Sequence, residues 1–98
     1  LLKGGNIEIM SFKEWAKAIR NDVLFYVSLR SLRGTKTCFS DLMNEFSVPP
    51  EVLSYVFHYL ITENGFIVIR PKGLVITEAG KLSHPYQLAF NVFMSLNY

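Results

Sequence analysis

Residues 37–80 decide the fold of this chain, and they read TCFSDLMNEFSVPPEVLSYVFHYLITENGFIVIRPKGLVITEAG. Residues 40–46 begin with a serine that can cap a short helix, and a proline pair then closes a turn and opens a second helix over 50–63. An Asn-Gly pair ends that helix, and residues 66–77 contain two β-rich runs joined by a four-residue turn over 70–73. The stretch therefore predicts a helix, a turn, a second helix and a hairpin, in that order.

Apolar residues at helical spacing predict a first helical region over 11–33, upstream of this stretch. Asn21 and Asp22 either cap a second helix inside this region or lie on the exposed side of one long helix. Gly34 ends the pattern. Trp15 is expected to be a buried anchor of this region.

The remaining segments extend the arrangement at both ends. Residues 1–10 are interpreted as an arm or a short edge strand, and residues 35–39 as a connector with one short strand. A proline opens a last helix over 85–98, where apolar residues again recur at helical spacing. Ninety-eight residues suit one compact domain, so the whole chain, 1–98, is predicted to be a single α+β domain with extra helical segments at both termini.

Three short sequences resemble parts of winged helix-turn-helix transcriptional regulators. Residues 46–54, FSVPPEVLS, are similar to the turn and the start of the recognition helix in those proteins. Residues 64–67, NGFI, are similar to the segment before the wing, and residues 74–81, LVITEAGK, to the ending after it. The resemblance covers about residues 22–82. It implies a three-helix core with a β-hairpin wing, and duplex DNA binding with one helix in the major groove.

In that fold the helix-turn-helix would span 40–63 and the wing would span 66–77. The chain departs from the pattern in two ways. The helix over 50–63 is one residue longer before Gly65 than the usual spacing. It also contains no Lys or Arg, which such regulators commonly use on phosphates and guanine edges.

Charge is distributed unevenly along the chain, although the net charge is only +2. Residues 1–36 carry seven basic and three acidic residues, whereas residues 37–69 carry no Lys or Arg and four acidic residues. This distribution supports a rival hypothesis, in which a winged-helix module uses an acidic face to contact a basic protein within a larger complex and does not bind DNA. The acidic face consists of Asp41, Glu45 and Glu51.

The predicted DNA contacts come from three segments. On the second helix, hydroxyl, phenol and imidazole groups on the outward face can bond base edges or phosphates. A rigid hairpin tip with two charges suits the minor groove or adjacent phosphates. The connector before the first helix of the motif would offer backbone amides to a phosphate. The predicted DNA-binding residues are Lys36, Thr37, Pro50, Ser54, Tyr55, His58, Arg70 and Lys72.

Each of these groups also has a simpler interpretation. Tyr55 and His58 could be ordinary surface residues, and the hairpin charges could belong to an ordinary solvated turn. Arg30 and Arg33 could extend a basic rim that includes Lys36, or they could complement the negative end of the helix dipole.

The terminal helical segments carry more apolar surface than one core-facing stripe requires. A two-fold mate would bury this surplus and produce a homodimer. Alternatively, the C-terminal helix folds back and fills the core of its own domain. The predicted dimerisation residues are Phe25, Leu29, Phe90 and Phe93.

Several functional classes have no support in the sequence. The single Cys38 excludes an internal disulfide and indicates a reducing, cytoplasmic compartment. Together with His58 and His84 it shows no spacing typical of a metal site, and no nucleophile–base pattern indicates an enzyme. No apolar run approaches the ~18 residues of a membrane-spanning helix. The resemblance to winged helix-turn-helix regulators therefore implies a small, dimeric, DNA-binding transcriptional regulator without a cofactor, with the protein-binding module as the alternative.

Overall fold

The computed structural model describes residues 12–96, which are mostly helical. A two-stranded antiparallel hairpin follows the first three helices, so the architecture is α+β and compatible with a winged helix. The predicted arm over 1–10 lies outside the described residues. In chain order the elements are α1 (Phe12–Leu32), α2 (Phe39–Phe46), α3 (Pro50–His58), a π-helical turn (Tyr59–Glu63), β1 (Ile67–Arg70), β2 (Gly73–Ile76), α4 (Glu78–Lys81) and α5 (His84–Leu96).

The first helical region forms one continuous helix, α1. Asn21 and Asp22 are exposed on its surface, so they do not cap a second helix. The helix stops before Gly34, as predicted, and the φ of 80° at this residue is the left-handed conformation that favours glycine. The N–H of Thr35 donates to the carbonyl of Arg30 at 2.8 Å, which satisfies one of the last carbonyls of the helix.

Helix α1 is the central element, because α3 and α5 both pack against it. Burial of a single aliphatic side chain in this core contributes about 1.5–3 kcal/mol before the entropic cost of ordering it. The prediction that Trp15 is a buried anchor is wrong, since its side chain is 38% exposed. The buried cluster consists of Ala16, Val23, Leu24, Val27, Leu42, Val52, Leu53, Val56, Tyr59, Leu60, Ile67, Leu74 and Ile76.

The start of α2 differs from the prediction that Ser40 caps it. The helix begins at Phe39, and the carboxylate of Asp41 accepts a hydrogen bond from the N–H of Cys38 at 2.8 Å. A carboxylate in the first turn satisfies an unpaired amide and stabilises the positive end of the helix. The N-cap is therefore Cys38, assisted by Asp41, instead of Ser40, and the helix starts two residues earlier than predicted.

Helix α3 continues into the π-helical turn. The N–H of Asn64 donates to the carbonyl of Tyr59 at 2.8 Å, five residues back, and the N–H of Phe66 donates to the carbonyl of Leu60 at 2.7 Å. The wider turn accommodates the additional residue that the sequence carries before its glycine. Tyr59 and Leu60 both stay buried in the core as a result.

The hairpin pairs Ile67 with Ile76 and Arg70 with Gly73 in antiparallel register. Its loop is therefore two residues long, rather than the four predicted. The short strand predicted over 35–39 does not occur in the described part of the chain. The connector instead accepts a backbone hydrogen bond from the hairpin, because the N–H of Leu74 in β2 donates to the carbonyl of Thr37 at 2.9 Å.

The segment after the hairpin, residues 77–80, packs against the residues just before β1. The hydroxyl oxygen of Thr77 accepts a hydrogen bond from the N–H of Gly80 at 3.1 Å, and the hydroxyl donates to the carbonyl of Gly65. Gly80 lies so close to the chain before β1 that an added β-carbon would overlap the carbonyl oxygen of Phe66 and would lie 2.8 Å from Cγ2 of Ile76. These contacts give a physical reason for the Thr-x-x-Gly ending on which part of the resemblance rests.

Helix α5 begins at His84, one residue before the predicted start, and packs along α1. Pro85 and Ala89 are buried by this packing. No helix within residues 12–96 has both the length and the apolar character needed to cross a membrane.

Candidate functional site

The outward face of α3 carries the polar groups that were predicted to contact DNA. Val52, Leu53 and Val56 are buried against the core and fix the orientation of the helix, so Ser54 and Tyr55 are exposed. His58, one helical turn further on, is exposed on the same side. Pro50, the first residue of α3, is also exposed, and the fixed backbone angle of a proline suits this position.

The polar groups on this face differ in the hydrogen bonds and ion pairs that they form within the chain. The hydroxyl of Ser54 donates to the carbonyl of Pro50 at 3.1 Å. The imidazole of His58 lies 3.4 Å from the carboxylate of Glu63 and 3.2 Å from the hydroxyl of Thr62. The phenol of Tyr55 has no hydrogen-bond partner within residues 12–96, and the side chain is 41% exposed. Tyr55 is therefore the group on this face that can meet a ligand without breaking an existing contact.

Glu63 was not identified as a site residue from the sequence. Its carboxylate is 3.4 Å from Nε2 of His58, and both side chains are about half exposed. A negative charge at this position opposes the approach of a phosphate, so His58 reaches a nucleic acid only if it leaves Glu63. The pair lies five residues apart across the π-helical turn, a spacing that an ordinary helical pattern does not bring together.

The hairpin tip carries two exposed cations, Arg70 and Lys72. The guanidinium of Arg70 donates to the carbonyl of its neighbour Ile69 at 3.4 Å. Neither cation forms an ion pair with a carboxylate in the described part of the chain. Both charges are therefore available to an anionic partner.

The connector before α2 carries two of the predicted DNA-binding residues, Lys36 and Thr37, in different surroundings. Lys36 is exposed, but the side chain of Thr37 is only 2% exposed, and its hydroxyl accepts a hydrogen bond from Nε of Arg30 at 2.9 Å. The hydroxyl of Thr37 is therefore buried and occupied, and the expectation that the backbone amides of the connector meet a phosphate stays a prediction. The carbonyl of Lys36 accepts a second hydrogen bond from Arg30 at 2.8 Å.

Arg30 is the residue that holds this region together. Besides its two bonds to the connector, its guanidinium lies 3.4 Å from the carboxylate of Asp41 and 5.5 Å from the ring centroid of Tyr26. Charged groups that are hydrogen-bonded and partly shielded in this way stabilise a local structure more than an exposed ion pair does. Arg30 thus connects the end of α1 to the start of α2, and it is not the open basic rim considered from the sequence.

The same contact changes the predicted acidic face. Asp41 is paired with Arg30 and also caps α2, so it is not an unbalanced charge. Glu45 and Glu51 remain exposed and form no ion pair within residues 12–96. The acidic face therefore consists of two carboxylates rather than three. In the sequence, the only local sign of the contacts made by Arg30 was its four-residue spacing from Tyr26, which places both residues on one face of α1.

The predicted dimerisation residues lie on two helices that pack together within one chain. Phe90 on α5 is 41% exposed, whereas Phe25 and Leu29 on α1 and Phe93 on α5 are half-buried. Because α5 lies along α1, part of its apolar surface fills the core of its own domain. Other apolar residues at this end of the chain stay exposed, namely Leu82, Leu88, Met94 and Leu96.

No group of three or more His, Cys, Asp or Glu side chains in the described residues could hold a metal ion. Comparison of this chain with models of known protein families, with curated proteins and with solved structures finds no match.

Proposed function

We propose that this chain is a winged-helix domain that binds double-stranded DNA in a sequence-specific manner and acts as a small, dimeric, cytoplasmic transcriptional regulator. The hairpin would be the wing and α3 the recognition helix. The observation that carries the proposal is the combination of an outward polar face on α3, centred on Tyr55, with two cations at the hairpin tip that form no ion pair in the described residues. Phe57 of α3 and Arg70 of the hairpin line the same groove, so the two elements are neighbours.

The two elements would contribute differently to binding. Arg70 and Lys72 would contact phosphates or the minor groove and supply affinity that does not depend on base sequence. Tyr55, with Ser54 and His58, would lie in the major groove, where a phenol can contact a thymine methyl group or bond a base edge. Lys36 would add a phosphate contact, in a connector that Arg30 holds in place.

The negative charge near α3 would limit non-specific binding. Glu51 and Glu63 are exposed at opposite ends of the helical segment, and no Lys or Arg lies between residues 37 and 69. Non-specific affinity for DNA comes mainly from cations that release counterions. A recognition helix without cations would therefore rely on fit to the correct bases, and on a second protomer, for useful affinity.

A dimer would supply that second set of contacts. Phe90 and its apolar neighbours on α5 are exposed, and burial against a two-fold mate would remove them from water. In such a dimer two α3 helices would enter successive major grooves, about 10 base pairs apart. The target would then be pseudo-palindromic, and occupancy would block other proteins sterically.

The rival proposal is a winged-helix module that binds a basic protein through Glu45 and Glu51. The exposure of these carboxylates, without ion pairs in the described residues, favours it. The pairing of Asp41 with Arg30 weighs against it, because the face loses one of its three charges. The DNA-binding proposal is the better supported of the two.

Selection from a random pool of duplex DNA tests the sequence-specific part of the proposal. Wild-type protein is expected to enrich a pseudo-palindrome whose half-sites are about one helical turn apart. Tyr55→Ala is expected to relax the preference at one base pair of each half-site by about 1–3 kcal/mol, because the variant cannot touch that base. Sequencing of the selected pool measures both results.

Ala79→Ser provides the control, because Ala79 is exposed on α4, outside the proposed DNA contacts and outside the helices proposed to form the dimer. This variant should select the same sequences as wild type. A pool with no enriched sequence would contradict specific recognition. If, in addition, Glu45→Lys together with Glu51→Lys abolished capture of a basic protein partner, the rival proposal would replace this one.

A further inference from the structure

A surface groove lies between the start of α2, the end of α3 and the hairpin. Its volume is about 350 Å³. Apolar side chains form most of its lining, namely Phe39, Phe57, Ile69, Pro71 and Leu74. This volume is at the lower end of the range for small-molecule sites in proteins, and it exceeds the space that one benzene ring requires.

Two aromatic rings define one wall of the groove. Phe39 and Phe57 pack edge to face, with centroids 5.2 Å apart and an interplanar angle of 73°. Both side chains are only partly buried, and Ile69, which also lines the groove, is 57% exposed. These apolar surfaces are partly exposed to water, so an aromatic ring bound against them would gain from leaving water and from edge-to-face contact.

A single charged group lies at the rim. Among the residues that the structure describes, Arg70 is the only Lys, Arg, Asp or Glu that lines the groove. Within residues 12–96 its guanidinium has one hydrogen bond, to the carbonyl of Ile69 at 3.4 Å, and no carboxylate partner. A planar guanidinium with unused donors matches a carboxylate, which can accept two parallel hydrogen bonds.

We propose that this groove binds a small aromatic carboxylate, with its ring against Phe39 and Phe57 and its carboxylate on Arg70. The apolar lining favours an aromatic ring, and the guanidinium of Arg70 favours a negatively charged group. The binding itself is independent of any nucleic acid. One consequence rests on the proposed function: because Arg70 would also contact DNA, the ligand would compete with a phosphate for this residue and act as an effector.

Alkylation of Cys38 provides a direct assay of ligand binding in the groove. Cys38 lines the groove, is exposed, and is the single cysteine of the chain. The rate of alkylation of Cys38 by iodoacetamide would be followed by mass spectrometry, without DNA, as hydrocinnamate is added. The acid is expected to slow alkylation in a saturable way. Hydrocinnamyl alcohol, the uncharged analogue, is expected to bind about tenfold more weakly, because a charge-assisted hydrogen bond contributes about 1.4 kcal/mol or more.

Three variants make the test specific. Arg70→Gln should remove the difference between the acid and the alcohol, whereas Lys72→Gln should preserve it, because Lys72 does not line the groove. Ile69→Glu, at an exposed strand position, should abolish protection by the acid through charge repulsion. The proposal is overturned if the acid gives no saturable protection, or if it protects no better than the alcohol in wild-type protein.

The regulatory consequence is measured separately by adding hydrocinnamate to a wild-type complex with duplex DNA. Release of the DNA at concentrations that protect Cys38 would support the effector role. Protection of Cys38 without any effect on a stable DNA complex would overturn that role. Failure to bind DNA at all would contradict the proposed function and leave the ligand assay unaffected.

Discussion

Gly80→Ala is expected to lower the free energy of unfolding by about 3 kcal/mol or more. An added β-carbon would overlap the backbone carbonyl of Phe66 and lie 2.8 Å from Ile76 Cγ2. The carbonyl belongs to the main chain just before β1, so it cannot turn aside as a flexible side chain would. The substitution must push α4 away from the hairpin and strain the capping bond from Gly80 to Thr77.

Thermal unfolding followed by circular dichroism measures this effect, with an expected fall in Tm of about 15 °C for a domain of this size. Gly34→Ala is the matched control. Gly34 has a φ of 80° and open space around it, so its substitution tests backbone strain alone and should cost about 1–2 kcal/mol. Equal losses of stability in the two variants would show that close packing at Gly80 is not what requires glycine.

Replacing Arg70 and Lys72 together with glutamine is expected to weaken binding to every duplex sequence by at least about tenfold at physiological salt. The two side chains are exposed and lack carboxylate partners in the described residues, so their charge is fully available to phosphates. Removing these two cations should also reduce the slope of log affinity against log salt concentration, by about two units in magnitude per bound protomer. Fluorescence anisotropy with a labelled duplex at several salt concentrations gives both quantities.

Lys17→Gln combined with Lys81→Gln removes the same charge from positions outside the hairpin and the outward face of α3. Lys17 lies over the ring of Tyr59, 5.6 Å from its centroid, and Lys81 pairs with Glu78 at 3.6 Å. This control should lose much less affinity than the hairpin variant. If both double variants weaken binding equally, net charge rather than the hairpin tip accounts for the interaction.

The order of the elements could be predicted from residues 34–80, because the sequence signals that mark each element are local. Proline at the first position of α3, glycine after α1 and β-rich runs around a turn each act through the backbone of a few neighbouring residues. The exposure of Tyr55 and His58 followed from helical periodicity in the same way. The hairpin loop was predicted too long. Pairing between β1 and β2 decides where the strands end, whereas the sequence shows only where β-favouring residues give way to turn residues.

The interactions that organise the candidate site could not be predicted, because they join residues distant in the chain. Arg30 meets Thr37 and Asp41 only after α1 and α2 have packed, so neither the burial of Thr37 nor the pairing of Asp41 was visible. The extra residue before Gly65 was visible in the sequence. Its accommodation in a π-helical turn, which brings Glu63 to His58, depends on keeping Tyr59 in the core. The groove beside the hairpin is likewise a product of three elements meeting.

Binding of wild-type protein to a labelled duplex of random sequence, measured across a series of salt concentrations, tests the central claim most directly. The proposed function predicts clear binding at low salt and a linear fall of log affinity with log salt concentration, with a slope of at least about two in magnitude. This slope is the signature of cations on phosphates, which a module that binds only proteins lacks. The absence of binding even at the lowest salt concentration would contradict the proposed function.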